Sequence, residues 1–342
     1  MKDYNVGIVG ATGAVGEEIA LILEEQNFPI KKLVPLASSR SLGKNVAFKN
    51  SEIPVVELTP NVFAEHNIEL AFFSAGGNVS AEFVPHATKA GAIVIDNTSH
   101  FRMQENVPLV VPEVNPQDIA LCKETGIIAN PNCSTIQMVH ILAPLHKRFG
   151  IERVDVSTYQ AVSGAGKKGM EELVAQTQRF FDFTLSECEA QVFPHQIAFN
   201  AIPHIDVFFD DGYTKEEVKM IRETHKILHS EFPISATCVR IPVLRSHSES
   251  ITILLAKEPS LDEVRKILQN APSVVLCDDP SQNLYPMPSL ASGTDSTYVG
   301  RIRKDRYNPN IVHLWCAADQ IRIGAATNAV RIAQQWAKMG NG

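Results

Sequence analysis

The sequence predicts an α/β protein with two domains, a doubly wound parallel sheet at the N-terminus and an α+β domain with a mixed sheet after it. In the first third, short apolar strands alternate with amphipathic helices, which is the pattern of βαβ units. The middle of the chain has longer strands, which indicates a mixed or antiparallel sheet with helices on one side. The length of 342 residues exceeds the roughly 250–300 residues at which a single core stops growing.

The elements follow in chain order. In the first domain we predict strands 4–10, 32–37, 70–73, 92–95 and 126–129, and helices 14–26 and 79–90. In the second we predict helices 134–149, 166–180 and 215–229, and strands 154–162, 251–256, 299–303 and 311–317, with a polar connection at 305–309. An Ala-rich helix, 323–339, has no strand after it, and we expect it to return to the first domain. The predicted domains are therefore 1–130 with 320–342, and 131–319.

Composition restricts the function classes. A net charge of −7 argues against non-specific binding to nucleic acid. No apolar run approaches the roughly 18–20 residues that span a bilayer, and the N-terminus resembles no signal peptide. None of the six cysteines lies in a C-x-x-C pair, so we expect free thiols in a cytoplasmic protein with no nucleic-acid or membrane partner. These cysteines are Cys122, Cys133, Cys188, Cys238, Cys277 and Cys316.

The first strand leads into a glycine loop that opens a helix, a variant of the Rossmann-type dinucleotide fingerprint. Small residues let the backbone approach a pyrophosphate, and the N-terminus of the helix binds it. The third glycine lets the helix pack closely on the strand. The alternative is a loop that binds no nucleotide. The predicted cofactor residues here are Gly10, Thr12, Gly13, Ala14, Val15 and Gly16.

The second strand ends in hydroxyl residues and an arginine, where NAD sites usually carry an acid. Ser38, Arg40 and Ser41 suit the 2′-phosphate of NADP, because a guanidinium forms bidentate, charge-assisted bonds to phosphate. The alternative is an ordinary polar surface loop. A further small-residue loop follows the strand at 70–73, and we place its Gly76 near the cofactor.

Cys133 lies between a strand and a helix, within Asn-Pro-Asn-Cys-Ser-Thr. A free thiol has a pKa of about 8.5, and the helix dipole typically contributes only about 0.3–1 kcal/mol, less than one pKa unit. A reactive Cys133 therefore needs another partner, most simply a histidine; otherwise it is a buried, inert cysteine. His247 is the best candidate, because it lies in a strongly polar segment that enters an apolar strand, although most histidines are surface or structural residues.

His225 and His229 share a helix face at i, i+4 but lack a third ligand. We interpret them as solvated surface residues and predict no metal site.

Taken together, these residues resemble the aspartate-semialdehyde dehydrogenase family over nearly the whole chain. The motifs are GIVGATGAVG, ASSRS, FFSAGG, DNTSHFRM, NPNCSTIQ, TYQAVSGAG, RIPVLRSHSES and AADQIRIGAATN. The related N-acetylglutamyl-phosphate reductases usually place their cysteine in a P-G-C-Y/F-A-T context, which is absent here.

The resemblance implies roles for individual residues. Cys133 would be the nucleophile, His247 the acid/base and Gln160 the residue that orients the substrate. Arg102 and Lys219 would bind phosphate, Arg240 the substrate carboxylate and Glu216 its ammonium group. Asn132, Ser163, Gly164 and Gln320 would approach the nicotinamide or its ribose, with Asn132 also beside the substrate.

Two assignments have alternatives. Glu216 and Lys219, three residues apart on a helix, also fit a surface ion pair. Arg240 and His247, an odd number of residues apart, would face opposite ways in one regular strand, although Pro242 makes such a strand less favourable.

The implied reaction is covalent. The Cys133 thiolate attacks the aldehyde of L-aspartate 4-semialdehyde, His247 removes the hydroxyl proton as hydride leaves for NADP, and phosphate releases 4-phospho-L-aspartate from the thioester. The physiological direction is the reverse, in lysine, threonine and methionine synthesis, by a homodimer or tetramer. The alternatives are another phosphorylating acyl-phosphate reductase, such as N-acetylglutamyl-phosphate reductase, a non-catalytic NADP-binding module and, more weakly, a cysteine hydrolase.

Overall fold

The computed structural model describes residues 2–185 and 189–339. The chain forms two compact units, the first made of Met1–Asn132 with Ala325–Gly342 and the second of Cys133–Gly324. Within the described residues, no helix combines the length and the apolar character needed to cross a membrane.

Unit 1 is built around a parallel sheet of six strands in the order β5-β2-β1-β6-β7-β8. A separate two-stranded antiparallel hairpin pairs β3 with β4. The elements are β1 (Tyr4–Val9), α1 (Ala14–Glu25), β2 (Ile30–Ala37), β3 (Asn45–Phe48), β4 (Ser51–Pro54), β5 (Val56–Glu57), α2 (Val62–Glu65), β6 (Leu70–Phe73), α3 (Gly77–Lys89), β7 (Ile93–Asp96) and β8 (Ile127–Ala129).

Hydrophobic spacing explains the first βαβ unit. The central strands β1 and β6 are almost completely buried, as expected for parallel strands covered on both faces. Helix α1 buries Ile19, Ile22 and Leu23, which lie on one face at i, i+3 and i+4. The helix ends at Glu25, two residues before Asn27, whose φ of +51° is left-handed.

Unit 2 contains a mixed sheet of six strands in the order β10-β9-β11-β14-β13-β12, in which β9–β10 and β12–β13 are parallel pairs. Helices α4, α6 and α7 pack together with this sheet around one apolar core. The elements are α4 (Cys133–Phe149), β9 (Ile151–Gln160), α5 (Lys167–Phe181), α6 (Lys215–Leu228), β10 (Ile234–Arg240), β11 (His247–Leu255), α7 (Leu261–Gln269), β12 (Val274–Leu276), α8 (Pro288–Ala291), β13 (Thr297–Lys304) and β14 (Ile311–Ala318).

The last helix, α9 (Thr327–Met339), follows a π-helical turn at Arg322–Ala326. Its buried residues, including Ala329, Val330 and Ala333, belong to the same apolar cluster as the buried residues of β1 and α1. The helix therefore completes the core of unit 1, in agreement with the expected return to the first domain.

The predicted fold class is confirmed, because unit 1 is a doubly wound parallel α/β unit and unit 2 has a mixed sheet. Most predicted elements appear with boundaries shifted by one to four residues. The sequence did not predict the β3–β4 hairpin, the strands β5, β10 and β12, or the helices α2, α7 and α8. The prediction also began the central strand of unit 2 at residue 251, whereas β11 begins at His247.

Candidate active site

The loop between β1 and α1 has the close packing that a dinucleotide fingerprint requires. Gly10 has a φ of +84°, and a Cβ there would lie 2.9 Å from the carbonyl oxygen of Ser74. A Cβ on Gly16 would lie 2.2 Å from the carbonyl oxygen of Gly10, so the first turn of α1 packs directly on the end of β1. Such a cradle lets backbone N–H groups reach a pyrophosphate, so the residues present fit a dinucleotide. Gly13 precedes the helix, and Ala14 and Val15 begin it.

A second small-residue loop meets the first. The N–H of Ser74 donates to the carbonyl oxygen of Val9 at 2.9 Å. Gly76, with a φ of +94°, immediately precedes α3. Because β1 lies between β2 and β6, the strand order reverses beside it, and ligands of doubly wound sheets bind outside the strand ends at such a point. The structure therefore brings the two predicted cofactor loops together at the expected edge.

The hydroxyl and arginine residues after β2 lie beside the glycine loop. The hydroxyl oxygens of Thr12 and Ser41 are 3.4 Å apart. Ser38 and Arg40 are exposed in the short turn that follows β2. An exposed guanidinium next to paired hydroxyls suits a phosphate monoester.

Arg102 is buried at the carboxyl edge of the unit 1 sheet. Its Nε donates to the carbonyl oxygen of Asn130 at 2.9 Å, and its Nη2 donates to that of Asn97 at 2.8 Å. These asparagines directly follow β8 and β7. Two backbone carbonyls thus fix the guanidinium at a strand-end position. Asn132, the last residue of this segment of unit 1, is also buried.

In unit 2, the ends of four strands meet at one edge of the sheet. Strands β9 and β10 are parallel, and Gln160 pairs with Arg240 at their carboxyl ends. Strand β11 is antiparallel to β9 and β14, so its first residue lies at the same edge, where His247 pairs with Ala318 of β14. This topology brings three predicted site residues together. Because Arg240 and His247 lie on different strands, their odd spacing does not separate them.

His247 is fully buried, and the backbone fixes its tautomer. The N–H of Ala161 donates to Nδ1 of His247 at 3.0 Å. Burial, and then the positive charge of Arg240, hold the pKa of this imidazole well below its usual value, so the ring is neutral at neutral pH. A neutral ring that accepts at Nδ1 carries its hydrogen on Nε2. Nε2 has no hydrogen-bond partner among the residues that the structure describes.

Arg240 is held by the turn that follows β9. Its Nη1 donates to the carbonyl oxygen of Ala161 at 2.6 Å. A Cβ on Gly164 would lie 2.7 Å from Nη1 of Arg240 and 3.4 Å from Cε1 of His247, so this turn touches both side chains. Burial lowers the pKa of Arg240, and the charges of Glu216 and Cys133 oppose that shift.

Cys133 is the first residue of α4 and is partly exposed. The turn after β14 passes close to it, because a Cβ on Gly324 would lie only 3.0 Å from Cβ of Cys133. The sulfur therefore has the start of a helix and the charge of Arg240 as electrostatic partners. The sequence made a histidine the simplest partner, but the neutral His247 supplies no such charge.

Gln160, Glu216 and Lys219 form a connected polar group. Nε2 of Gln160 donates to Oε1 of Glu216 at 3.3 Å, and Nζ of Lys219 donates to Oε2 of Glu216 at 3.1 Å and to Oδ2 of Asp206 at 2.8 Å. Burial works against the charge on Lys219, but Glu216 and Asp206 raise its pKa above the usual value. Glu216 is only 5% exposed, so the pair is not an ordinary surface ion pair.

Ser163 and Gln320 are joined by a short hydrogen bond from the amide of Gln320 to the hydroxyl of Ser163. Gln320 also accepts the N–H of Ser246 at 2.7 Å. Sequence reasoning missed the buried Asp319, which accepts Nε of Arg245 and the N–H of Gly293, both at 2.6 Å. The only signal was its position beside Gln320.

The structure describes no metal site. Within residues 2–185 and 189–339, no group of three or more histidine, cysteine or acidic residues is arranged to hold an ion. His229 is exposed, but His225 is half-buried and bonds to the carbonyl oxygen of Phe232 at 2.8 Å, so the prediction of a solvated surface is wrong for His225. Cys188 lies outside the described residues. The other cysteines are free thiols, and all of them except Cys133 are buried.

Comparison with known proteins gives matches over nearly the whole chain. Residues 5–122 match the family model of the semialdehyde dehydrogenase NAD binding domain, and residues 142–323 match that of the semialdehyde dehydrogenase dimerisation domain. The aspartate-semialdehyde dehydrogenase of Campylobacter jejuni is 60% identical over 340 residues, which are 99% of each chain.

Two solved structures are informative. Aspartate semialdehyde dehydrogenase II from Vibrio cholerae, complexed with ASA, superposes with a TM-score of 0.94 at 43% identity, covering 99% of both chains. The aspartate semialdehyde dehydrogenase of Candida albicans, with NADP, superposes with a TM-score of 0.74 at 27% identity, again over 99% of both chains.

Proposed function

Because the chain belongs to the aspartate-semialdehyde dehydrogenase family, we propose that it reduces 4-phospho-L-aspartate reversibly to L-aspartate 4-semialdehyde and phosphate. Membership of this family confirms the resemblance that the sequence motifs predicted, and it makes the chain an NADP-dependent oxidoreductase of amino-acid biosynthesis. The convergence of Gln160, Arg240 and His247 at one edge of the unit 2 sheet is the observation that carries the assignment of the reacting groups.

Cys133 is the proposed nucleophile. Its thiolate attacks the acyl carbon of the substrate, phosphate leaves, and a thioester forms on the sulfur. The start of α4 and the guanidinium of Arg240 support the negative sulfur electrostatically. A covalent route divides one difficult displacement into two easier steps.

His247 acts on the substrate oxygen. With Nδ1 accepting from Ala161, Nε2–H donates a hydrogen bond to the oxygen that gains negative charge when a nucleophile adds to the carbonyl. The base role predicted from the sequence requires a lone pair on Nε2, which carries the hydrogen in this tautomer. In the oxidative direction that hydrogen therefore has to move to Nδ1, and the hydrogen bond from Ala161 has to break, before Nε2 accepts a proton.

The remaining polar residues bind the two ends of the substrate. Arg240 pairs with the carboxylate and Glu216 with the ammonium group, while Gln160 orients the reacting centre. Arg102 binds phosphate, and Lys219 assists it in competition with Glu216 and Asp206, which both contact Nζ.

NADP supplies or accepts the hydride when it is bound. In unit 1 the glycine loop and Gly76 hold the pyrophosphate, and Ser38, Arg40 and Ser41 hold the 2′-phosphate. In unit 2 the nicotinamide and its ribose are contacted by Ser163, Gly164 and Gln320. Asn132 contacts both the substrate and the nicotinamide.

The decisive experiment mixes protein, L-aspartate 4-semialdehyde, NADP and phosphate and follows the nicotinamide absorbance while each component is omitted in turn. We expect reduction only when all four are present. Turnover without phosphate would indicate a different aldehyde dehydrogenase, and no turnover with any combination would indicate a binding module. A panel of acyl phosphates in the reverse direction separates related reductases.

We also propose a homodimer, or a dimer of dimers, in the cytoplasm. The model matched by residues 142–323 describes a dimerisation domain, which supports at least a dimer. The face of the unit 2 sheet that points away from its core carries Tyr159 and Trp315, whose rings are 5.2 Å apart and only half-buried. Light scattering during size-exclusion chromatography distinguishes dimer from tetramer.

A further inference from the structure

Glu249 is a fully buried acidic residue in strand β11. It lies two residues after His247 on β11, and residues at i and i+2 of a strand share a face. Strand pairing places Thr158 of β9 and Cys316 of β14 beside it. None of the roles proposed above uses this side chain.

The surroundings of Glu249 suit an uncharged acid. The thiol of Cys316 donates to Oε2 at 3.7 Å, and the amide of Gln137 donates to the sulfur of Cys316 at 3.9 Å. Oε1 of Glu249 and Oε1 of Gln137 are both buried acceptors without a partner among the described residues. A proton on Glu249 is the donor that this group of acceptors lacks.

No cation contacts the carboxyl group within the described part of the chain. The titratable groups facing it are Cys316 on β14, Cys238 on β10 and His247 on its own strand, while Thr158 on β9 is uncharged. Burial raises the pKa of Glu249 to about 8, and the side-chain hydrogen bonds of Gln137 and Cys316 oppose that shift only partly.

Glu217 shows what a buried carboxylate looks like in the same unit. One of its oxygens accepts the N–H of Thr214 at 2.7 Å, and the other accepts the N–H of Cys238 at 2.9 Å. These donors satisfy the negative charge, as is usual for buried acids. Among the described residues no backbone N–H donates to Glu249, so the two acids differ in hydrogen bonding and not in burial.

The position of Gln137 connects this group to the nucleophile. Gln137 lies four residues after Cys133 on α4, which is about one helical turn, so the two share a face of the helix. Glu249 lies two residues after His247 on β11, a separation along the strand similar to that of Gln137 from Cys133 along the helix. The group formed by Glu249, Gln137 and Cys316 therefore lies between the first turn of α4 and the first residues of β11.

We propose that Glu249 is a positioning residue that works as a neutral acid, bonding to Gln137 and so fixing the first turn of α4, with Cys133, against the start of β11, with His247. The inference rests on the proposed function in one respect, namely that Cys133 and His247 are the reacting groups. Ionisation of Glu249 would remove the proton that this bond needs and leave an uncompensated negative charge in the group, which would loosen the attachment.

The test compares Glu249→Gln, which mimics the neutral acid, with Glu217→Gln, which makes the same change at a buried acid whose two oxygens each accept a backbone N–H. We expect Glu249→Gln to keep kcat within about twofold of the original chain at neutral pH. We also expect the original chain to lose kcat at alkaline pH with an apparent pKa of about 8, and Glu249→Gln to lack this loss. An inactive but stably folded Glu249→Gln, or an unchanged alkaline limb, would overturn the proposal.

A measurement without substrate keeps this test separate from the proposed function. The folded-state pKa of Glu249 lies above its unfolded value, so its contribution to stability is fully present at low pH and is lost as pH rises towards about 8. Relative to Glu249→Gln, the unfolding constant of the original chain should rise about tenfold per pH unit between about pH 5 and 8. Glu217→Gln should be destabilised throughout this range. Identical slopes in the original chain and Glu249→Gln would show that Glu249 does not carry the proton.

A second variant tests the attachment itself. Gln137→Met keeps the length of the side chain but removes the amide to which neutral Glu249 would bond. We expect kcat to fall about tenfold, with the KM for NADPH unchanged. A kcat within about twofold of the original chain would contradict the link between the two residues.

Discussion

Replacement of Gly164 by alanine probes the proposed carboxylate site through one added methyl group. The new Cβ would lie 2.7 Å from Nη1 of Arg240, and the end of that flexible side chain has to move. Moving it weakens the hydrogen bond from Nη1 to the carbonyl oxygen of Ala161, now 2.6 Å long. Hydrogen bonds to charged groups contribute about 1.5–3 kcal/mol. Since about 1.4 kcal/mol is tenfold, we expect kcat/KM for the semialdehyde to fall roughly 10- to 100-fold, mainly through KM.

Initial rates measured at varied semialdehyde and then at varied NADP check this expectation. Gly212→Ala is a suitable control, because Gly212 has a φ of +85° and a Cβ there meets nothing within 4 Å. It should cost about 1–2 kcal/mol of stability without affecting KM. An unchanged KM for the semialdehyde in Gly164→Ala would refute the role of Arg240. A KM increase shared equally by NADP would show that the added methyl group acts through the proposed contact of Gly164 with the nicotinamide, or through movement of the whole turn, and not through Arg240 alone.

Further predictions concern the nucleophile and the cofactor. Cys133→Ala should abolish phosphate-dependent NADP reduction while NADPH binding, followed by nicotinamide fluorescence, persists; residual turnover would contradict the covalent step. Arg40→Ala should raise the KM for NADP far more than that for NAD, whereas equal effects would remove Arg40 from the 2′-phosphate site. Gly16→Ala should destabilise the chain by about 1–3 kcal/mol and weaken NADP binding measured by calorimetry, because its Cβ would lie 2.2 Å from the backbone oxygen of Gly10. Normal affinity for NADP in Gly16→Ala would contradict the close packing of α1 on β1.

Local patterns predicted the first unit well, because its strands and helices carry their own periodicity and end signals. The glycine loop, α1 and the strand at Leu70–Phe73 were each visible in a short window of sequence. The β10 strand was missed, although its buried and less buried residues alternate. Its register is determined by pairing with β9, which is distant in sequence, and a local pattern contains no information about such a partner.

For the candidate site, the sequence selected Cys133, Arg240 and His247 by type and context. It did not predict the contacts that set the charge states of Arg240 and His247. The Ala161 N–H that fixes the tautomer of His247 is a backbone group, which no residue type reveals. Glu249 was overlooked because its polar neighbours resemble a solvated segment, and its burial follows only from the two strands that flank it.

The return of α9 to the core of unit 1 has a consequence for biosynthesis. The ribosome finishes the whole of residues 133–324 before it makes the helix that completes the core begun by β1 and α1. Until then, apolar residues such as Ile19 and Val110 lack the alanine-rich surface that covers them in the finished protein. The nascent chain therefore exposes part of the apolar core of unit 1 during most of its synthesis. Chaperones that bind exposed apolar segments would recognise this stretch.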